Sequence, residues 1–214
     1  MTYRKPKKLR SALAKQGRRC RQRGQKHERT IAKRFNAFLG LSAQRGIGQA
    51  RSAGEVADVK GVPHFWIECK HRKTISVRAA LCQAEFDRSE DLLPVAIYRF
   101  DRQKDMVAMY SVDFRDVYAP YAASLRLLKL KDGTFRFDET HMVHRRTYRA
   151  KLVRLSQSFA EVETVTVKAA KKFGKVPFPI AQCVDDGGMG IVLLSLDNFF
   201  LLVRLWYAQK AKNV

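Results

Sequence analysis

The segment Val56-Ala-Asp58-Val-Lys-Gly-Val-Pro-His-Phe-Trp-Ile-Glu68-Cys-Lys70 constrains the fold more than any other part of the chain. Two short apolar runs, residues 56–59 and 65–69, flank Lys60-Gly61-Val62-Pro63, whose Gly and Pro mark a turn. The spacing predicts two strands joined by that turn. Side chains alternate along a strand, so Phe65, Ile67 and Cys69 share one face while Glu68 and Lys70 share the other. The apolar face has to be buried, which anchors the strand and presents a carboxylate and an ammonium together on its opposite side. The turn returns Asp58 toward them. Simple antiparallel pairing across it sets Glu55 opposite Glu68, so Asp58 needs a bend to arrive and Glu55 is the reserve acid.

The neighbouring elements predict an α/β chain with a mixed sheet and flanking helices. Ile31, Phe35 and Phe38 or Leu39 recur at helical spacing over residues 26–39, and Gly40 ends that helix. Residues 42–54 read as a polar loop or a short strand. A helix follows over 77–85. Strands then cover 94–100 and 106–112, joined by the charged turn Asp101–Asp105, and a further helix begins near Phe114. The second half partly repeats this order. Glu163–Ala170 resembles Lys73–Ala80, and Pro179-Ile-Ala resembles Pro94-Val-Ala 85 positions earlier (179 − 94). Asp197-Asn-Phe199 likewise follows Asp113-Phe-Arg. The similarity reads either as a degenerate repeat or as chance likeness between two αβ segments. Three units are therefore expected: a flexible basic arm over 1–25, a first αβ unit over 26–121, and a second αβ segment over 122–214.

Charge narrows the partner. The 214 residues hold 42 Lys+Arg and 20 Asp+Glu, a formal +22. Residues 1–27 contribute 11 bases and no acid, leaving 31 bases and 20 acids, or +11, for the rest. A balance this basic points to a polyanion, nucleic acid first, while 46% hydrophobic content supplies a core. No run reaches the roughly 20 uncharged apolar residues of a membrane span. Cys20, Cys69, Cys82 and Cys183 form no CxxC pair, and no secretory core segment is evident. These features predict reduced thiols in an intracellular setting, cytoplasm or nucleoid.

Asp58 and Glu68 are hard oxygen donors of the kind Mg²⁺ prefers. A cation they held could polarise a phosphodiester, Lys70 could orient the attacking water, and the backbone carbonyl of Cys69 would be an extra ligand. This Asp, spacer, Glu-x-Lys pattern resembles the PD-(D/E)xK nuclease superfamily, and within it the Holliday junction resolvases. Gly24-x3-Glu28-Arg29-x-Ile31 is similar to the family's N-terminal helix, where an acid completes the metal site. Arg51-Ser52-Ala53-Gly54 precedes the Asp as it does there, and Gln83 falls where the family often has a Gln. The resemblance covers about residues 24–115. It implies a restriction-endonuclease-like core, Mg²⁺-dependent cleavage (Mn²⁺ as a substitute), branched DNA as substrate in recombination or repair, and usually a homodimer.

DNA contacts are expected from Arg18, Arg19, Arg21 and Arg23 in the arm, and from Arg45, Arg51, Ser52, Lys60, His71, Arg72 and Lys73 around the acids. Such contacts grip phosphates without reading sequence and weaken steeply with salt. The rival reading is a non-catalytic DNA- or RNA-binding protein using the same basic surface.

Overall fold

A computed structural model describes residues 7–46, 56–89, 91–123, 126–130, 133–137, 141–149, 164, 176–184 and 190–212. Its first element corrects an expectation. Helix α1 runs Lys7–Leu39, so the segment expected as a flexible arm is, from Lys7 onward, continuous with the helix predicted from residue 26. After Pro6 no proline intervenes, and Leu9, Ala12, Leu13, Ala14, Lys15 and Gln16 are strong helix formers. Gly17 and Gly24 each cost only about 1 kcal/mol in a helix interior. Residues 13–16 and 18–23 are exposed, whereas Ile31, Ala32 and Phe35 are buried. The helix is thus docked by its C-terminal half and protrudes by its basic half. It stops at Gly40 (φ +67), whose N–H donates to the Asn36 carbonyl at 3.0 Å.

The remaining elements are β1 (Gln44–Arg45), β2 (Val59–Lys60), β3 (Phe65–Arg72), α2 (Val77–Asp87), β4 (Leu93–Phe100), β5 (Met106–Tyr110) and α3 (Ser111–Ala123), then β6 (Arg126–Leu130), β7 (Gly133–Phe137), β8 (His141–Arg149), β9 (Val176–Val184), β10 (Gly190–Ser195) and α4 (Leu196–Lys212). Their strands form one 10-stranded mixed sheet in the order β1-β2-β3-β4-β5-β10-β9-β8-β7-β6. On one face, α1, α3 and α4 cover Ile67, Cys69, Val95, Ile97, Val107, Met109, Val192 and Leu194. On the other, α2 packs Val77, Ala80 and Leu81 over Ala96, Tyr98, Ala108 and Leu193. Ser76 caps α2, its hydroxyl accepting from the Ala79 N–H.

The sheet is built twice over. Parallel pairs β3·β4 and β8·β9 occupy matching places, the other neighbours are antiparallel, and β5 pairs antiparallel with β10 at the centre. Registers match at a constant offset. Ala96 lies opposite Ala108, and Ala181 lies opposite Leu193, each 85 positions on (181 − 96, 193 − 108). The same offset relates Phe114 to Phe199 and Val117 to Leu202, all buried. The recurrence of Pro94-Val-Ala at Pro179-Ile-Ala therefore coincides with a structural repeat around an approximate two-fold axis between β5 and β10. Asp113 and Asp197 are one position out of step in this alignment. Most of the 163–170 match lies outside the described residues, although Thr164 is helical.

Among the described residues, strands β6–β10 share the sheet with β1–β5, and Leu196, Phe199, Phe200, Leu202, Val203 and Trp206 of α4 belong to the core that also holds Ile31 and Phe35.

Candidate functional site

The loop between β2 and β3 decides where Asp58 lies. Gly61 (φ +80) and His64 (φ +66) both adopt left-handed conformations, and Val59 pairs with Ile67. This loop is longer than the four-residue turn expected, which shifts the register by three residues. Asp58 instead of Glu55 falls beside Glu68, and the chain bends at Asp58 itself. Glu55 lies outside the described residues. A Cβ at Gly61 would sit 2.9 Å from the Ser42 carbonyl oxygen, so both backbone conformation and close approach call for glycine there.

Beyond the end of β2, the Asp58 side chain takes over the strand's role. Its Oδ2 accepts the Cys69 N–H at 2.8 Å. Within a strand, the N–H and C=O of one residue leave on the same edge, so the Cys69 carbonyl also opens on the Asp58 side. Glu68 is buried at 5% exposure on the opposite face of β3, where its Oε1 accepts from Lys70 Nζ. The same Nζ donates to Gln83 Oε1 of α2 at 2.9 Å. Trp66, on the Glu68 face, is buried against Ala84 and Leu92.

Electrostatics mark this as a strained group of charges. Burial pushes the Glu68 carboxyl up to about 7, the nearby Asp58 charge pushes the same way, and Lys70 offsets only part. Burial likewise raises Asp58, against the Cys69 N–H that lowers it, with Glu28 adding to the rise. The Glu68 shift sets a pH dependence. Its folded-state pKa lies above the ordinary carboxyl value of 4.5, so the metal-free protein keeps this stability below pH 4.5 and loses it as pH rises through about 7. The loss amounts to about 3 kcal/mol. Denaturant unfolding in EDTA between pH 4 and 8 should show the decline in wild type and a markedly flatter profile in Glu68→Gln; equal slopes would contradict it.

The other expected site residues separate into two groups. Glu28 does face this region, but its Oε2 accepts from Arg45 Nε at 2.6 Å. Among the described residues no three His, Cys, Asp or Glu side chains gather into a metal-holding group; Asp58 and Glu68 remain as a carboxylate pair. Arg45, expected on phosphate, is thus spent on Glu28. Arg23 pairs with Asp101 at 3.1 Å, and His71 lies 3.5 Å from the same carboxylate with its ring 5.3 Å from that of His27. Arg18, Arg19, Arg21, Lys60, Arg72 and Lys73 are exposed, while Arg51 and Ser52 lie outside the described residues.

No protein-family model matches the chain, nor does any curated protein or solved structure.

A second buried cluster lies beside this site, built from residues that carry no local motif. His27 is buried at 3% exposure with Nε2 2.9 Å from Asp105 Oδ1, and Arg34 donates to Asp105 Oδ2 at 3.0 Å and to Asp197. Burial would raise Asp105, yet His27 and then Arg34 outweigh it and hold the carboxyl below its ordinary range. These pairs fasten α1 to the β4–β5 turn and to α4. The one signal in the sequence was i, i+7 spacing of His27 and Arg34 on the face near Ile31.

Among the described residues, no helix is long and apolar enough to cross a membrane.

Proposed function

We infer that the protein is a divalent-metal-dependent DNA endonuclease of the PD-(D/E)xK kind, acting on branched or otherwise structured DNA. The observation that carries the reading is Asp58 and the Cys69 backbone sharing one strand edge beside the buried Glu68–Lys70 pair. The donor set fits a hard cation: two carboxylates and a carbonyl, with more negative charge than Lys70 neutralises. Asp58, Glu68 and the Cys69 carbonyl would hold Mg²⁺ or Mn²⁺, and Glu28 would flank them if Arg45 turned to phosphate. When bound, the ion supplies Lewis-acid polarisation of the scissile phosphate and a more acidic water.

The chain's own residues do the remaining work. An ammonium has three N–H donors. Lys70 gives one to Glu68 and one to Gln83, which fixes the amine and leaves a third for the attacking water or the phosphate oxygen where charge develops. Water adds to phosphorus as the bond to one ester oxygen breaks. The exposed bases of α1, with Lys60, Arg72 and Lys73, hold the phosphate backbone.

End-labelled junction and duplex DNA incubated with Mg²⁺ or EDTA tests the reading. Cleavage should require the metal, and Lys70→Ala should slow it by roughly 10²–10³-fold with DNA binding retained. Uncut DNA under every condition, with salt-sensitive binding indifferent to Mg²⁺, would instead establish the non-catalytic binder. The protruding basic half of α1 favours that reading as a second choice.

A further inference from the structure

The repeat carries a consequence for how many strands one molecule cuts. Register equates positions across the approximate two-fold. Glu68 lies beside Ala96, and Arg146 beside Ala181, where Ala96 and Ala181 are the matched pair. Lys70 lies beside Tyr98, and Tyr148 beside Cys183, again 85 apart (183 − 98). The second unit thus has Arg146 and Tyr148 at the positions of Glu68 and Lys70. Its strands β7, Gly-Thr-Phe-Arg-Phe, and β8, His-Met-Val-His-Arg-Arg-Thr-Tyr-Arg, contain no carboxylate to replace Asp58 either. The face of Arg146 also carries Arg126, which lies opposite Phe137, itself opposite Met142. Where the first unit has a cation-binding carboxylate, the second has a guanidinium suited to a phosphate.

We propose that the chain is an internal pseudo-dimer with one cutting half and one holding half. A single molecule places two related units on a DNA whose arms are themselves related by a two-fold, grips one arm with the sheet face that carries Arg126 and Arg146, and hydrolyses one strand with the Asp58–Glu68–Lys70 side. The β5–β10 pairing joins the two units within one sheet, so one chain presents both halves. This rests on the nuclease reading for its cutting half, while the holding half stands on the sheet alone.

Sedimentation velocity with a fluorescent four-way junction, together with a supercoiled-plasmid time course, tests it. The expected results are a complex of one chain per junction, and nicked circles accumulating at least tenfold over linear DNA early in the reaction. Arg126→Gln with Arg146→Gln should weaken junction binding about tenfold or more and flatten the dependence of log affinity on log salt by about 1.8, from two lost phosphate contacts. The corresponding double Lys variant should restore most of the binding, which separates lost charge from misfolding. Two chains per junction, or linear product formed from the outset, would overturn the proposal with the nuclease reading intact. Absence of any cleavage would defeat the nuclease reading, and the stoichiometry and Arg variants would still decide the holding half. Unchanged binding by the Gln variant would overturn that half.

Discussion

Asp58→Asn should lower Mg²⁺-dependent cleavage by about 10³-fold or more, while leaving the metal-free protein at least as stable as wild type. The catalytic loss follows from removing one of two carboxylates that would hold the cation, whose transition-state contribution is several kcal/mol. The stability result follows from local geometry. The Asn side-chain oxygen can still accept the Cys69 N–H that Asp58 Oδ2 accepts at 2.8 Å, so the strand edge stays closed. The negative charge that helps push Glu68 up to about 7 disappears. Relief of that repulsion should stabilise the protein on the order of 1 kcal/mol near pH 8. Thermal unfolding with and without Mg²⁺ provides the check. Wild type should gain stability from the ion by mass action, and the variant should gain little. A variant that cleaves like wild type would remove Asp58 from the site.

The largest stability loss is expected from Phe35→Ala. Phe35 is fully buried, its ring 5.0 Å from Phe200 and 6.5 Å from Phe199, edge-on to both. It joins α1 to α4, and hence the helix carrying Glu28 to the second unit. Truncating a buried Phe costs about 3–5 kcal/mol. In a chain of this size that corresponds to a fall of roughly 6–20 °C in Tm. A loss under about 1 kcal/mol in guanidinium unfolding would mean that α1 is not docked as described. The neighbouring ion pairs, Arg34 with Asp105 and Asp197, are partly exposed and cannot replace this burial.

Much of the site was legible because its signals are local. Alternation along β3 separates the buried Ile67 and Cys69 from Glu68 and Lys70 through strand geometry alone, and Gln83 one helix later reaches the same ammonium. The helix stop at Gly40 is equally local. Other features depended on partners distant in sequence. Arg45 reads as a phosphate contact until Glu28 is seen 2.6 Å away. His27 reads as one more polar position until Asp105, 78 residues on, is found beside it. The basic arm reads as disordered because charge suggests solvation, yet its residues also favour helix, and a docked second half supplies the nucleus that an isolated segment lacks.

The sequence by itself determined the αβ composition, the faces of β3, the charged set Asp58, Glu68 and Lys70, and the 85-residue echo of Pro94-Val-Ala. Each depends on side-chain periodicity or residue type, which need no distant partner. Tertiary structure decided that Asp58 sits beside Glu68, because the left-handed Gly61 and His64 lengthen the β2–β3 loop and shift the register. It also decided that the echo is one continuous sheet, because β5 and β10 close it by hydrogen bonds between segments some 80 residues apart, such as Tyr110 with Ile191. Register and strand pairing are collective properties, set by what the whole sheet can bury.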